Sequence, residues 1–281
     1  EGRVVVSVGS GFTRAAGLPT WGELLRGVAA ACGVLEALPE VLPLGDHSAM
    51  DALQFGLCER VGRKRMIEVM QAQLCARTSD EMKARLEAIF ALPVAALVSW
   101  NWDDILDDRC TLVGNDARGY AAILQAVQPQ AMHATLPSWP PLLHLQGSLA
   151  HTSSIIVAQD DYARVQPGRS AFLADLYGGS QDGGVRVVVL HLGQSISAGG
   201  VAAPIRAAAA AAGSYHYAVV PDATAEEHAI AASQGTTLLS YSTAAAGHTD
   251  ALCQLLAALE AAVSHGQVDT VTYDDGFVAV E

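Results

Sequence analysis

The sequence predicts an α/β protein, a doubly wound parallel sheet with a helical insertion. Three observations predict it. Val4–Val8 is a short apolar, β-branched run, the pattern of a strand buried on both faces, and Gly9-Ser10-Gly11 follows it at once. Strand signals then alternate with helical stretches, as they do where crossover helices join parallel strands. Between the first two strand signals, residues 22–95 carry only helical periodicity.

The elements follow in order. After the glycine turn, Gly17-Leu18-Pro19-Thr20-Trp21 leads into a helix over Glu23–Ala31. Strand, glycine turn and helix together make the phosphate end of a Rossmann-like nucleotide-binding fold. Helices are expected at Ser48–Gly56 and Arg60–Ala76, the second with Met66, Ile67, Val69, Met70 and Leu74 at helical spacing. Thr78-Ser79-Asp80-Glu81 supplies cap candidates for a helix at Met82–Phe90. Val94–Ser99 is the second strand and Pro141–Leu145 the third, with a further short strand at Ser154–Val157. Asp160-Asp161-Tyr162 reads as a polar turn, Ser170–Leu176 as a helix and Gly178–Gly184 as a loop. Val185–Leu192 is the strongest strand signal, and Tyr215–Val220 and Thr236–Tyr241 are two more. Helices are expected at Ala202–Ala212, Ala223–Ser233 and His248–Ser264, the last with Leu252, Leu255, Leu256 and Leu259 on one face. The chain begins at Glu1 without Met and ends inside another strand candidate, Gly276–Glu281, which reads as a piece of a longer protein.

Composition narrows the function classes. The chain has 281 residues, is 51% hydrophobic and only 16% charged, enough apolar content for a sizeable core. Its net charge is −13, from 16 basic and 29 acidic residues. That balance argues against direct nucleic-acid binding, which needs clustered Lys and Arg, and against an anionic membrane surface. No run of eighteen apolar residues occurs, so no membrane span is expected. The five cysteines, Cys32, Cys58, Cys75, Cys110 and Cys253, are widely spaced with no CxxC pair. No metal site is expected from them, and a reduced, cytoplasmic protein is the simplest reading.

Candidate site residues stand at strand ends, where open α/β sheets bind ligands. Gly9-Ser10-Gly11 lets backbone N–H groups approach a diphosphate; the alternative is a tight turn with no ligand, since Arg14 stands where the dinucleotide fingerprint needs a third glycine. Asn101 and Asp103 follow the second strand, placed either for chemistry or to cap a helix at Ile105–Cys110. Gln146-Gly147-Ser148 ends the third strand and Gly193-Gln194-Ser195 the strand at Val185–Leu192. His144 and His191 read as satisfied core histidines.

In order and spacing these strand ends resemble the sirtuin-like superfamily, especially its bacterial branch that hydrolyses NAD in antiphage defence. That branch has GAG-x-S and GLPTW, then T-x-N-Y-D, HGS and GxS, with an adenine-side strand near the end. This chain has GSGFT and GLPTW, then SWNWD, LQGSL, GQS and LLSY at Leu238–Tyr241, over about residues 4–264. The zinc-ribbon cysteines of protein-deacylating sirtuins are absent. Ser10 replaces the family's alanine, Trp102 a Tyr or Ile, and Gln146 its catalytic histidine. Glutamine can hydrogen-bond but cannot accept a proton at neutral pH.

The resemblance implies that NAD is the substrate and that no metal is needed. It implies that Gly9, Ser10, Gly11 and Thr13 cradle the diphosphate, with Arg14 adding charge or standing in solvent. Gly193 and Ser195 would bind the diphosphate or adjacent ribose, and Tyr241 would lie on the adenine side. Asn101 would orient water or ribose hydroxyls, Asp103 the carboxamide, and Gln146 would stand at the base position. Residues 1–265 would form the NAD-binding domain, with the helical insertion at about 40–92, and 266–281 a C-terminal extension. The activity implied is antiviral NAD hydrolysis, impaired at Gln146, by a homo-oligomer or with a defence-system partner protein. A non-catalytic NAD or ADP-ribose sensor is the alternative, and a protein deacylase a distant third.

Overall fold

The computed structural model describes residues 4–43, 46–75, 79–127, 139–178, 187–194, 214–244, 247–264, 271–274 and 277–280. Among them, seven strands form one sheet in the order β3-β4-β2-β1-β5-β6-β7: β1 (Val4–Val8), β2 (Val94–Ser99), β3 (Thr111–Val113), β4 (Pro141–His144), β5 (Val187–Leu192), β6 (Ser214–Pro221) and β7 (Thr236–Tyr241). Every pair in it is parallel. The order reverses at β1, flanked by β2 and β5, and that is the switch point at which such sheets open a crevice.

Parallel strands are buried on both faces, which explains their continuous apolar runs. On one face, Val4, Val6, Val8 and Leu97 pack under α5 (Asp80–Ala91) and the closing helix Gly247–Ser264. On the other, Val5, Ala96, Val98 and Val189 pack under α6 (Ala117–Ala126) and α7 (Gln159–Gly178). After the short α1 (Ser10–Thr13), a third core joins α2 (Trp21–Ala31), α3 (His47–Val61) and α4 (Arg63–Gln73), the helical insertion. A smaller cluster seats α8 (Ala225–Ser233), and the closing helix is α9 (Gly247–Ser264). A separate antiparallel hairpin, β8 (Val271–Asp274) and β9 (Phe277–Val280), follows.

Helix starts are set by side chains. Thr20 and Glu23 form a capping box on α2, and Ser79 caps α5 by accepting from Met82 N at 3.0 Å. Gly62, at φ +82, separates α3 from α4, so the break falls later than the helix expected to start at Arg60.

Several expectations are corrected. Ser154–Val157 is not a strand: a 3-10 turn covers Leu149–Ser154, and the following carbonyls bond to side chains. Arg63 Nη2 donates to Ile155 O at 2.6 Å and Gln54 Nε2 to Val157 O at 3.2 Å. Asp160-Asp161-Tyr162 is the first turn of α7, which is longer than expected because the Asp161 carboxylate accepts from Val157 N and Ala158 N, both at 3.3 Å. No α-helix forms at Ile105–Cys110; only Asp107–Arg109 turns, as 3-10. Thr78, the loop after Gly178, Ser195 and the helix expected at Ala202–Ala212 lie outside the described residues.

Candidate active site

The register lines up the carboxyl ends. His144 pairs with Ser99, Ser99 with Val8 and Val8 with Leu192, so four strands finish in one row. The residues just beyond that row, Gly9, Trp100 to Asp103, Gln146 and Gly193, open into one cavity of about 720 Å³, within the range of ligand pockets. Ser10 and Arg14 line it too, and α2 and α3 contribute Trp21, Asp51 and Gln54.

The glycines interlock. Gly9 N donates to Leu192 O at 2.9 Å and Gly11 N to Gly193 O at 2.8 Å. A Cβ on Gly193, whose φ is +63, would stand 1.9 Å from Phe12 N, and one on Gly11 would stand 2.9 Å from Gly193 O. The absent side chain at Gly11 therefore clears the β5 turn, with its N–H already bonded there. Gly9 and Ser10 face the cavity; Gly11 and Thr13 stand behind it. Thr13 is fully buried, donates to Ser10 O at 3.3 Å and accepts from Asn101 Nδ2 at 3.3 Å. Arg14 is half exposed and pairs with Glu23 at 3.5 Å.

Asn101 is 6% exposed, and its side chain goes to Thr13 with no helix to cap. Its backbone carbonyl accepts from His144 Nδ1 at 3.0 Å. His144 Nε2 faces Asp107 Oδ1 at 2.9 Å. A carbonyl and a carboxylate both accept, so both ring nitrogens donate and His144 is an imidazolium. Burial pulls its pKa down, but the bonds to Asp107 and to the Asn101 carbonyl outweigh that and raise it. His144 is thus a strut beneath Asn101.

Asp103 is 4% exposed, and its Oδ1 accepts from Ile105 N at 3.4 Å. Burial raises its carboxyl from 3.8 to about 6, against that hydrogen bond and the His144 charge. Such a raised carboxyl holds its proton between those values while the unfolded chain loses it, so the fold weakens as pH rises through the window and bears the full cost above 6. Two pH units correspond to on the order of 3 kcal/mol. Asp103→Asn is expected to flatten this dependence and to stabilise the free protein at pH 7 by up to that amount. Urea unfolding of both proteins from pH 4 to 7 checks it; equal slopes would contradict it.

Gln146 lines the cavity, and its Oε1 is buried with no hydrogen-bond partner. Its amide meets the Tyr162 hydroxyl, as does that of Gln54, while burial pushes that phenol up to about 12. Gly147, at φ +80, has Ser154 O where a Cβ would be, 2.2 Å away, so only glycine makes the turn after Gln146.

Tyr241 lies outside this cavity, on the far edge strand, with its hydroxyl 2.8 Å from His248 Nδ1. Gln194 lines the cavity and ties its floor together: its Nε2 donates to Ser7 Oγ at 3.0 Å, which also accepts from Trp100 Nε1 at 3.2 Å. Gln194 also bonds to His191, which meets His216 at 3.0 Å. Burial lowers the pKa of both histidines, so this pair is neutral. Tyr162 and Arg169, both on α7, line the cavity as well and were not among the sequence candidates. No spacing rule singles them out, because a helix packed from elsewhere in the chain brings them in.

Among the described residues, no group of three His, Cys, Asp or Glu could hold a metal ion, and no helix is long and apolar enough to cross a membrane. A reversed-order parallel sheet with interlocked glycines and polar groups at its carboxyl ends defines a Rossmann-like α/β domain, the class that binds ligands at that edge. Residues 95–239, from β2 to β7 and just over half of the chain, match the SIR2-like domain family. The chain belongs to that family, whose members are enzymes that use NAD as substrate. Comparison with curated proteins finds no match.

Proposed function

We propose that this cavity binds NAD and that the chain hydrolyses it to nicotinamide and ADP-ribose, as an antiviral, abortive-infection effector slowed by Gln146. The observation that supports the reading is convergence. Gly9, Ser10, Asn101, Asp103, Gln146 and Gly193, from four strand ends, line one cavity in a chain of an NAD-using family.

Cleavage breaks the bond between nicotinamide and ribose. Nicotinamide leaves as a neutral molecule, and positive charge develops on the ribose as an oxocarbenium ion. Ser10 and Gly193 hold the diphosphate and Gly9, its N–H bonded to Leu192 O, leaves room for it, with Arg14 adding charge; Gly11 and Thr13 fix that loop from behind. Asn101 orients the water or the ribose hydroxyls, held from below by His144 and from the side by Thr13. Asp103 accepts from the carboxamide. The unpartnered Gln146 Oε1 accepts a ribose hydroxyl but takes no proton. The adenosine half goes to the β5 and β7 ends, with Ser195, and with Tyr241 bracing that end through His248. Residues 1–265 are the NAD-binding domain, and 266–281 an extension. The effector acts in the cytoplasm as a homo-oligomer or with a defence-system partner.

A second reading, a non-catalytic NAD or ADP-ribose sensor, is favoured by Gln146 itself, since an amide bound to Tyr162 replaces a base. Mass spectrometry of NAD incubated with the protein separates the two. Slow appearance of nicotinamide and ADP-ribose supports the hydrolase, and indefinitely intact bound NAD supports the sensor.

A further inference from the structure

Arg169 presents a buried, incompletely bonded cation in the cavity wall. It follows Pro167-Gly168 inside α7, where the proline has no N–H for the helical ladder. Its side chain lines the cavity yet is only 5% exposed. The guanidinium lies over the Tyr162 ring, 5.2 Å from its centroid, and 5.9 Å from that of Trp100. Nη2 donates to Gln166 Oε1, while Nη1 is buried with no partner. Among the described residues no carboxylate pairs with it within 4.0 Å. Asp51, which lines the same cavity, is the acid whose charge it feels at longer range, although burial pushes that carboxyl up. Guanidinium is a permanent cation, and a buried one with an unbonded N–H and no carboxylate in direct contact is costly unless a ligand supplies an acceptor.

We propose that Arg169 and Tyr162 form an oxyanion subsite beside Gln146, taking a carboxylate or phosphate group of a second ligand bound alongside the nucleotide. The proposal rests on the NAD reading only for where the nucleotide lies. The dinucleotide's own anionic groups are assigned to the glycine ends of β1 and β5. Arg169 stands instead among α7, α3 and the β4 end, with Tyr162, Asp51 and Gln146. A charge-assisted bond from so buried a guanidinium to an oxyanion is directional and strong. Tyr162 adds a hydroxyl that its high pKa keeps protonated and able to donate.

The test titrates inorganic phosphate and, separately, acetate into the protein saturated with ADP-ribose, read by calorimetry and thermal shift. One of the two is expected to bind saturably, and which one identifies the anionic group. Arg169→Gln is expected to weaken that anion by about tenfold or more and to leave ADP-ribose affinity unchanged. Tyr162→Phe keeps the ring under the guanidinium and is expected to weaken the anion while the protein stays folded; it serves if Arg169→Gln does not fold. Absence of anion binding, or equal binding in both variants, would overturn the subsite. Loss of ADP-ribose affinity in Arg169→Gln would overturn it too, by making Arg169 part of the nucleotide's own anchor. Failure of the unaltered protein to bind ADP-ribose would instead overturn the NAD reading, and the same anion titrations on the free protein would still decide the subsite.

Discussion

Gln146→His is expected to raise NAD turnover by about 10²–10⁴-fold, the usual contribution of a positioned general base. Position 146 suits the change. It lines the cavity just past β4, Gly147 fixes the turn after it, and its Oε1 has no partner to lose. Glutamine already supplies the hydrogen-bond acceptor, so NAD affinity should hardly move. The gain should therefore appear in kcat and not in KM, the mark of an interaction made mainly in the transition state. The new histidine should impose a pH profile with a group near 6–7, around the ordinary imidazole value. Unchanged turnover and a flat profile would remove position 146 from the chemistry and leave the sensor reading in front.

Asn101→Asp, made in the Gln146→His protein, is expected to cut turnover by about 10²–10³-fold, as removal of one well-placed donor does. The structure gives this variant a clear meaning. Asn101 caps no helix, since Ile105–Cys110 forms none, and its Nδ2 reaches Thr13 Oγ1. Aspartate matches asparagine in shape but offers no donor. It also adds a second carboxyl near Asp103, since both side chains neighbour Thr13, and the like charge further disfavours ionisation there. The fold should survive, because the backbone bond from His144 to the residue 101 carbonyl is untouched. Full activity in this variant, with nicotinamide release as the readout, would retire the catalytic assignment.

How much was legible differs between fold and site. Val4–Val8 and Val94–Ser99 could be read to the residue, because strands covered on both faces are apolar almost throughout. β3 could not: it has three residues at the sheet's edge, mostly exposed, with no pattern to betray it. α6 follows it behind an Asp116 cap that was equally unread. In the site, residues that directly follow a strand were legible, since the register alone brings Gly9, Asn101, Gln146 and Gly193 together. Direction was not. Thr13 and Gly11 belong to the right loop but face inward, and only three-dimensional packing decides that. Asp51, Tyr162 and Arg169 come from helices far along the chain, so their meeting depends on how α3 and α7 seat against the sheet.

We place NAD in the cavity at the β1, β2, β4 and β5 ends. Titrating NAD into the unaltered protein by calorimetry, then recovering the nucleotide for mass spectrometry, tests it most directly. One saturable site per chain is expected, competed by ADP-ribose, with most of the recovered NAD intact over the experiment. Absence of saturable binding, or binding that ADP-ribose leaves unaffected, would contradict it.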